Sequence, residues 1–455
     1  MQKLLLVLSL VVMATSGWTQ PRLPSHYYWE QLANGLQVVV IEDDKVPLAT
    51  IEIAVKNGAF TEDSAYNGLS HLFEHMFFKA NRDYPTQEKF LKRTQELGAI
   101  YNGSTWDERV NYYFTFHKDS LTAGLEFMNA AIRFPIYRKE DMQKENPVVD
   151  GEFQRAESNP EYLLYFACQK KLWGNLFTRK NGIGIHEVIN TATPEKMMII
   201  KNKYYYPNNS ILVICGDVKH QEAFAKAKAI FGSWESSGFD PITKYPIPEF
   251  APLISTEYFV MESALAETPI VMYYWQGPDT RNDSASTIAA DVFFTILGMN
   301  SSKWQQALVD KGLTSMADAT YETEKYVGPV NIELMPNPEK LKACNDEVLN
   351  QVKQWGNDDY FTDEQLHNAK EIIRRNAIRK KEKPSAQASI VTRAWCGSSL
   401  DYMTDYENNC DKITREDIKR FLTKYISGKP YVAGMIISPE MNKKLGASDN
   451  FKPGF

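Results

Sequence analysis

The 455-residue chain has little cysteine: five residues, Cys168, Cys215, Cys344, Cys396 and Cys410, are scattered along it without a CxxC pair. A thiolate zinc knuckle and a disulfide-built fold both need thiols at paired spacing, so both are excluded; only Cys396 and Cys410 stand as a candidate pair in an oxidising compartment. Excess positive charge is also missing. The 51 Lys and Arg residues stand against 57 Asp and Glu, a formal net charge of −6, which gives no footing for nucleic acid or an anionic membrane. No apolar run of membrane length follows residue 20. The one early run, residues 4–14 of "MQKLLLVLSLVVMATSGWTQ", is too short to span a bilayer and lies between Lys3 and a group of small residues. The expectation is a signal peptide over residues 1–20, no stable membrane anchor, and export, in a bacterium to the periplasm.

What is present is enough apolar sequence for more than one core. "LQVVVIEDD" and "ATIEIAVKNGAF" read as strands, "LSHLFEHMFF" and "PTQEKFLKRTQELGA" as helices, and "YNGSTWDERVNYYFTFH" as an alternating strand region. "KEDMQKENPVVDGEFQRAESNP" has helical spacing, but Pro147 is expected to limit where that helix begins. Residues 236–253 contain four prolines and little pattern, the best candidate for a linker. Beyond them "TREDIKRFLTKYISGKPYVAGMIIS" echoes the earlier "TPEKMMIIKNKYYYPNNSILVICG". Two copies of an α+β unit are therefore expected, over 21–235 and 254–455.

Within "GLSHLFEHMFF", His71 and His75 stand about one helical turn apart, with Glu74 on the same side. Two imidazoles so placed can ligate one divalent ion while the carboxylate handles a proton; zinc suits that division of labour. A third ligand is needed. His26, His117, His186, His220 and His367 lie in unrelated segments, whereas "KENPVVDGEF" supplies Glu145, Asp150 and Glu152. Glu145 and Glu152 are seven residues apart, so one can ligate while the other accepts a hydrogen bond from a histidine ring. Spacing alone leaves open which does which.

"HLFEH" resembles the inverted zinc motif, H-x-x-E-H, of the pitrilysin and insulinase family of metallopeptidases, which includes the mitochondrial processing peptidases. "VKNGAFTEDSAYNGLSH", "GAIYNGSTWDERVNYYF" and "YYYPNNSILVICGDV" resemble further blocks of that family. The resemblance implies that Glu152, 77 positions after His75, is the third zinc ligand and that Glu145 orients the ligand set. It also implies that Glu74 is the catalytic base and that Asn102 holds substrate backbone. The implied fold is two similar domains, each a mostly antiparallel sheet packed against helices, forming half of a clamshell-like dimer. The implied activity is zinc-dependent (Zn2+) hydrolysis of extended or unfolded peptides. One segment departs from the pattern: "ALVDKGLTSMAD" has Val309 and Ser315 near the places where active relatives contribute an arginine and a tyrosine. The expectation is a related noncatalytic subunit that supplies the pair, with a homodimer as the other arrangement. The alternative function is a noncatalytic or weakly active zinc-containing peptide-binding subunit.

Overall fold

The computed structural model describes residues 20–451; the expected signal peptide, apart from its last residue, lies outside them. The first sheet has six strands: β1 (Tyr27–Gln31), β2 (Gln37–Glu42), β3 (Leu48–Val55), β4 (Ile100–Thr105), β5 (Val110–His117) and β6 (Ser210–Gly216), in the order β1-β2-β6-β3-β5-β4. The second has five: β7 (Glu257–Glu262), β8 (Ile270–Gln276), β9 (Thr314–Tyr321), β10 (Pro329–Pro336) and β11 (Val432–Ile437), in the order β7-β11-β8-β10-β9. With β1 set aside, the two orders are the same. Each sheet has one parallel pair, β2 with β6 and β7 with β11, and the remaining pairs are antiparallel. The repeated sequence segments occupy equivalent places: helix Pro194–Tyr204 leads into β6, and helix Arg415–Tyr425 leads into β11. The expected pair of similar α+β units is what the chain forms.

Central strands of the first sheet are buried on both faces, so β6 shows a nearly continuous apolar run instead of alternation, and β3 is buried from Ala49 to Val55 although Thr50 and Glu52 interrupt its apolar residues. One face packs against helix Leu69–Phe77 and its neighbours. The other is covered by helix Pro384–Gly397, a helix from the second half of the chain, whose Ala388, Val391 and Trp395 meet Val39, Ala54 and Val213. The reverse loan occurs on the second sheet, where Leu164 and Leu172 of helix Pro160–Trp173 pack on Met272, Val432 and Ile436. Each fully buried Val, Leu or Ile stabilises such a contact by about 1.5–3 kcal/mol, so the exchanged helices bind the two halves strongly.

Two expectations are corrected. The helix containing Pro147 runs unbroken over Lys139–Glu157. Proline there removes one backbone N–H and so one turn of hydrogen bonding, but side-chain ties to neighbouring elements, described below, hold the helix on both sides of it. Cys396 and Cys410 do not pair. All five cysteines are free and buried, Cys396 in the layer against the first sheet and Cys410 in the second core. Among the described residues, no helix is long and apolar enough to cross a membrane.

Candidate metal centre

Helix Leu69–Phe77 buries Leu69, Leu72, Phe73, Met76 and Phe77 in the first core, which turns His71 and His75 toward helix Lys139–Glu157 and Glu74 toward β4. Gly68 begins it at φ 93°, a left-handed conformation that favours glycine. The Glu62 carboxylate accepts hydrogen bonds from Gly68 N at 2.7 Å, Ser70 N at 2.6 Å and Asn67 Nδ2 at 3.1 Å. A carboxylate at this end satisfies free N–H groups and opposes the helix dipole. Burial nevertheless pushes its pKa up to about 7 against those bonds.

The two imidazoles converge on a single carboxylate oxygen. Glu152 Oε2 lies 3.5 Å from His71 Nε2 and 3.8 Å from His75 Nε2, and one ligand atom from each of the three residues falls within 4.8 Å of the others. A tetrahedral zinc ion with bonds of about 2.0–2.2 Å sets its ligands roughly 3.3–3.6 Å apart. The distances of 3.5 and 3.8 Å lie at and just above that range and are too long for direct hydrogen bonds, so a small closure around an ion brings the three groups to ligand spacing. Burial, together with His75 beside it, lowers the His71 pKa to about 4, keeping that ring neutral and its lone pair available. The donor set of two imidazoles and one carboxylate therefore fits zinc, with a coordination position left for another ligand.

His75 is oriented from behind. Its Nδ1 donates to Glu145 Oε1 at 2.9 Å, and Lys79 Nζ meets Glu145 Oε2 at 2.5 Å. Burial disfavours the Glu145 carboxylate, but the bonds from His75 and Lys79 outweigh it and hold its pKa low. A charged Glu145 fixes the Nδ1–H tautomer, which leaves the Nε2 lone pair free on the side facing Glu152. Burial likewise disfavours the His75 cation, yet the bond to Glu145 and the charges of Glu152 and Glu74 raise its pKa.

Glu74 stands apart from this set. Only 8% exposed, it accepts a hydrogen bond from Thr105 Oγ1 at 2.9 Å, and burial raises its pKa despite that bond and the nearby His75. Gly103 of β4 makes the room: a Cβ there would lie 2.8 Å from Glu74 Cγ and Oε1. A carboxyl group of raised pKa beside a metal position is equipped to accept and return a proton.

The structure thus brings together His71, Glu74, His75, Glu145 and Glu152. Asp150 is engaged elsewhere, with His186. Asn102 is exposed on β4, and strand alternation places its side chain on the face opposite Gly103 and Thr105. What Asn102 offers on the Glu74 side is backbone, because β4 is an edge strand with one ladder unpaired. Val309 is half-buried in the π-helical turn Gln306–Asp310, and the exposed Ser315 donates to Met335 O at 3.3 Å. Tyr321 donates to Pro278 O at 3.0 Å, and Tyr326 packs on Phe60. Sequence reading missed Lys79, Gly103 and Thr105. Lys79, four residues after His75, was accessible from helical spacing; the other two become visible only once the register of β4 against the helix is known.

The description "Insulinase (Peptidase family M16)" belongs to the family model that matches residues 37–177, and "Peptidase M16 inactive domain" to the one that matches residues 191–373. The chain is 24% identical to the zinc protease PqqE of Helicobacter pylori over 437 residues, 93% of this chain and 96% of that one. It is 23% identical to the beta subunit of the mitochondrial-processing peptidase of Bos taurus over 419 residues, 89% and 83% of the two chains. Among solved structures, a protease from Helicobacter pylori aligns with TM-score 0.81 at 22% identity, covering 92% of this chain and all of that one. The periplasmic protease PqqL of Escherichia coli aligns with TM-score 0.72 at 14% identity, covering 95% of this chain and 51% of that one.

Proposed function

Because the chain belongs to the insulinase (M16) family of peptidases, we propose that it is a zinc-dependent endopeptidase hydrolysing extended or unfolded peptides. The observation that carries this reading is the convergence of His71 Nε2, His75 Nε2 and Glu152 Oε2 beside a separately held Glu74.

His71, His75 and Glu152 would hold the ion, with Glu145 and Lys79 fixing the His75 ring. Bound zinc supplies Lewis acidity, polarising the scissile carbonyl and making water acidic enough to attack. Glu74 takes a proton from the attacking water and returns it to the leaving amine, and Thr105 holds the carboxylate in place for both transfers. An extended peptide adds to the free edge of β4 through backbone hydrogen bonds. Selection by backbone shape follows from that mode of binding. Replacing Glu152 by Ala removes one of three ligands, so the zinc content of purified E152A is expected to fall well below one equivalent; full occupancy would contradict the ligand assignment.

The reading includes a partner. Val309 and Ser315 provide no cationic or phenolic group to stabilise developing charge, a contribution worth about 2.7–4 kcal/mol when one such donor is removed from an enzyme. A related noncatalytic subunit that carries the arginine and tyrosine would close over this chain as the second half of a clamshell. Support comes from PqqL, of which this chain matches about half. The zinc-bearing domain spans 21–235 and the second domain 254–455, joined through 236–253, and the leader-like residues 1–20 favour export to a periplasm. The same Val309 and Ser315 favour the second reading, a noncatalytic or weakly active zinc-containing subunit that binds peptides.

A further inference from the structure

His186 lies outside the ligand set, yet its loop touches both helices that supply ligands. At the start of helix Leu69–Phe77, Gly68 and Gly184 stand back to back. A Cβ on Gly184 would lie 2.5 Å from Gly68 Cα, and one on Gly68 would lie 2.6 Å from Gly184 Cα. Asn181 secures the contact by donating to Asn67 Oδ1 at 2.8 Å and Gly184 O at 2.7 Å, while Ile185 N donates to Asn67 O at 3.3 Å. Immediately after Ile185, His186 Nδ1 donates to Asp150 Oδ1 at 2.5 Å and Nε2 meets Glu157 Oε2 at 3.0 Å. The imidazole also stacks on Phe153, with ring centroids 4.0 Å apart. All three partners lie on helix Lys139–Glu157, on either side of Glu152.

That helix needs outside support at this point. Pro147 leaves the Gln143 carbonyl without its usual backbone donor, and Gly151 is a poor helix former. Among the described residues, Glu152 is paired only with His71 and His75, so its position depends on the backbone beneath it. The pairs His71–Glu152 and His75–Glu145 show that the two helices run in opposite directions. Glu145, bonded to His75 and Lys79, ties them at one end. The Gly68–Gly184 contact and His186 tie them at the other.

On the reading of this site as a zinc centre, we propose that His186 is a positioning residue: it ties the helix carrying Glu152 to the start of the helix carrying His71 and His75, and so sets where the Glu152 carboxylate stands. H186F keeps an aromatic ring over Phe153 but loses both polar contacts; H186N keeps a donor near the Nδ1 place. Full-length H186F is expected to bind zinc about 10- to 100-fold more weakly than wild type in competition with a chromogenic chelator. H186N recovers most of that loss, and the metal-free melting temperature of both variants stays near that of wild type. In Co2+-loaded protein, the visible bands of H186F change in intensity, reporting altered coordination. Wild-type zinc affinity and an unchanged Co2+ spectrum in H186F would overturn the proposal, as would metal-free stability and zinc affinity falling together without rescue by H186N. If H186F does not fold, D150N takes its place with the same expected loss of affinity and the same overturning result. A wild-type protein that takes up neither ion would overturn the zinc centre itself, a separate outcome because the proposal fails on its own only where wild type binds.

Discussion

Gly103 determines how closely β4 passes Glu74. A methyl group there would lie 2.8 Å from Glu74 Cγ and Oε1, and the carboxylate would have to leave Thr105 to make room. A displacement near 1 Å can cost on the order of 100-fold in rate, so G103A is expected to lower kcat by about that factor. Zinc content should stay at the wild-type level, because Gly103 touches no ligand; metal analysis alongside peptide kinetics checks both. At this scale the sequence was most readable where one element holds the whole pattern. His71, Glu74 and His75 share a helix face, and helical spacing alone grouped them. The division of roles between Glu145 and Glu152 was left open by spacing and came from family resemblance, since both lie on one helix and differ in function only through what faces them. Gly103 has no signal of its own, because its meaning depends on a neighbouring helix.

Between elements, the main surprise is which half of the chain covers which sheet. The sequences of helices Pro160–Trp173 and Pro384–Gly397 show that each has apolar residues to bury, but not whose sheet receives them. Pro147 misled for a related reason: a local rule about proline gave way to ties from His75, Lys79 and His186. The exchanged helix Pro384–Gly397 meets a buried charge on the first sheet. Glu52 of β3 is fully buried; its Oε1 accepts from Asn111 Nδ2 at 3.0 Å and Thr392 Oγ1 at 2.5 Å, with Arg109 Nη1 at 3.6 Å. Burial pushes its pKa from 4.5 up to about 7, outweighing Arg109 and the hydrogen bonds. Between these values the folded protein holds a proton that the unfolded chain has released, so this group's contribution to stability falls as pH rises through the window and levels off above it. E52Q removes that dependence. Relative to wild type, the variant is expected to gain roughly 1–3 kcal/mol between pH 5 and pH 8, read from urea unfolding at both values; a constant difference would contradict the buried-acid account.

The whole molecule is two related sheets in one chain, with the candidate set His71, His75 and Glu152 on helices of the first unit. The repeat was legible because helix, aromatic, turn and apolar strand recur in the same order, and the matching strand orders give that echo its physical content. The first unit carries that candidate set; on the proposed function, Val309 and Ser315 of the second unit supply no group to stabilise developing charge. Alone, this chain is therefore expected to cleave unfolded peptide slowly. A related chain lacking "HLFEH" but carrying the arginine and tyrosine should raise the rate by at least about 100-fold, the scale of one lost oxyanion donor. Assays of each chain alone and of the mixture test this, and full activity from the single chain would remove the need for a partner.

The most direct test of the central claim compares zinc content and peptide cleavage in E74Q and wild type, each assayed with whatever second chain full activity requires. On the proposed mechanism Glu74 handles the proton and ligates nothing, so E74Q is predicted to bind zinc as wild type does while its cleavage of an unfolded peptide falls by about 100- to 10,000-fold. Cleavage by E74Q at the wild-type rate, with zinc fully bound, would contradict the account.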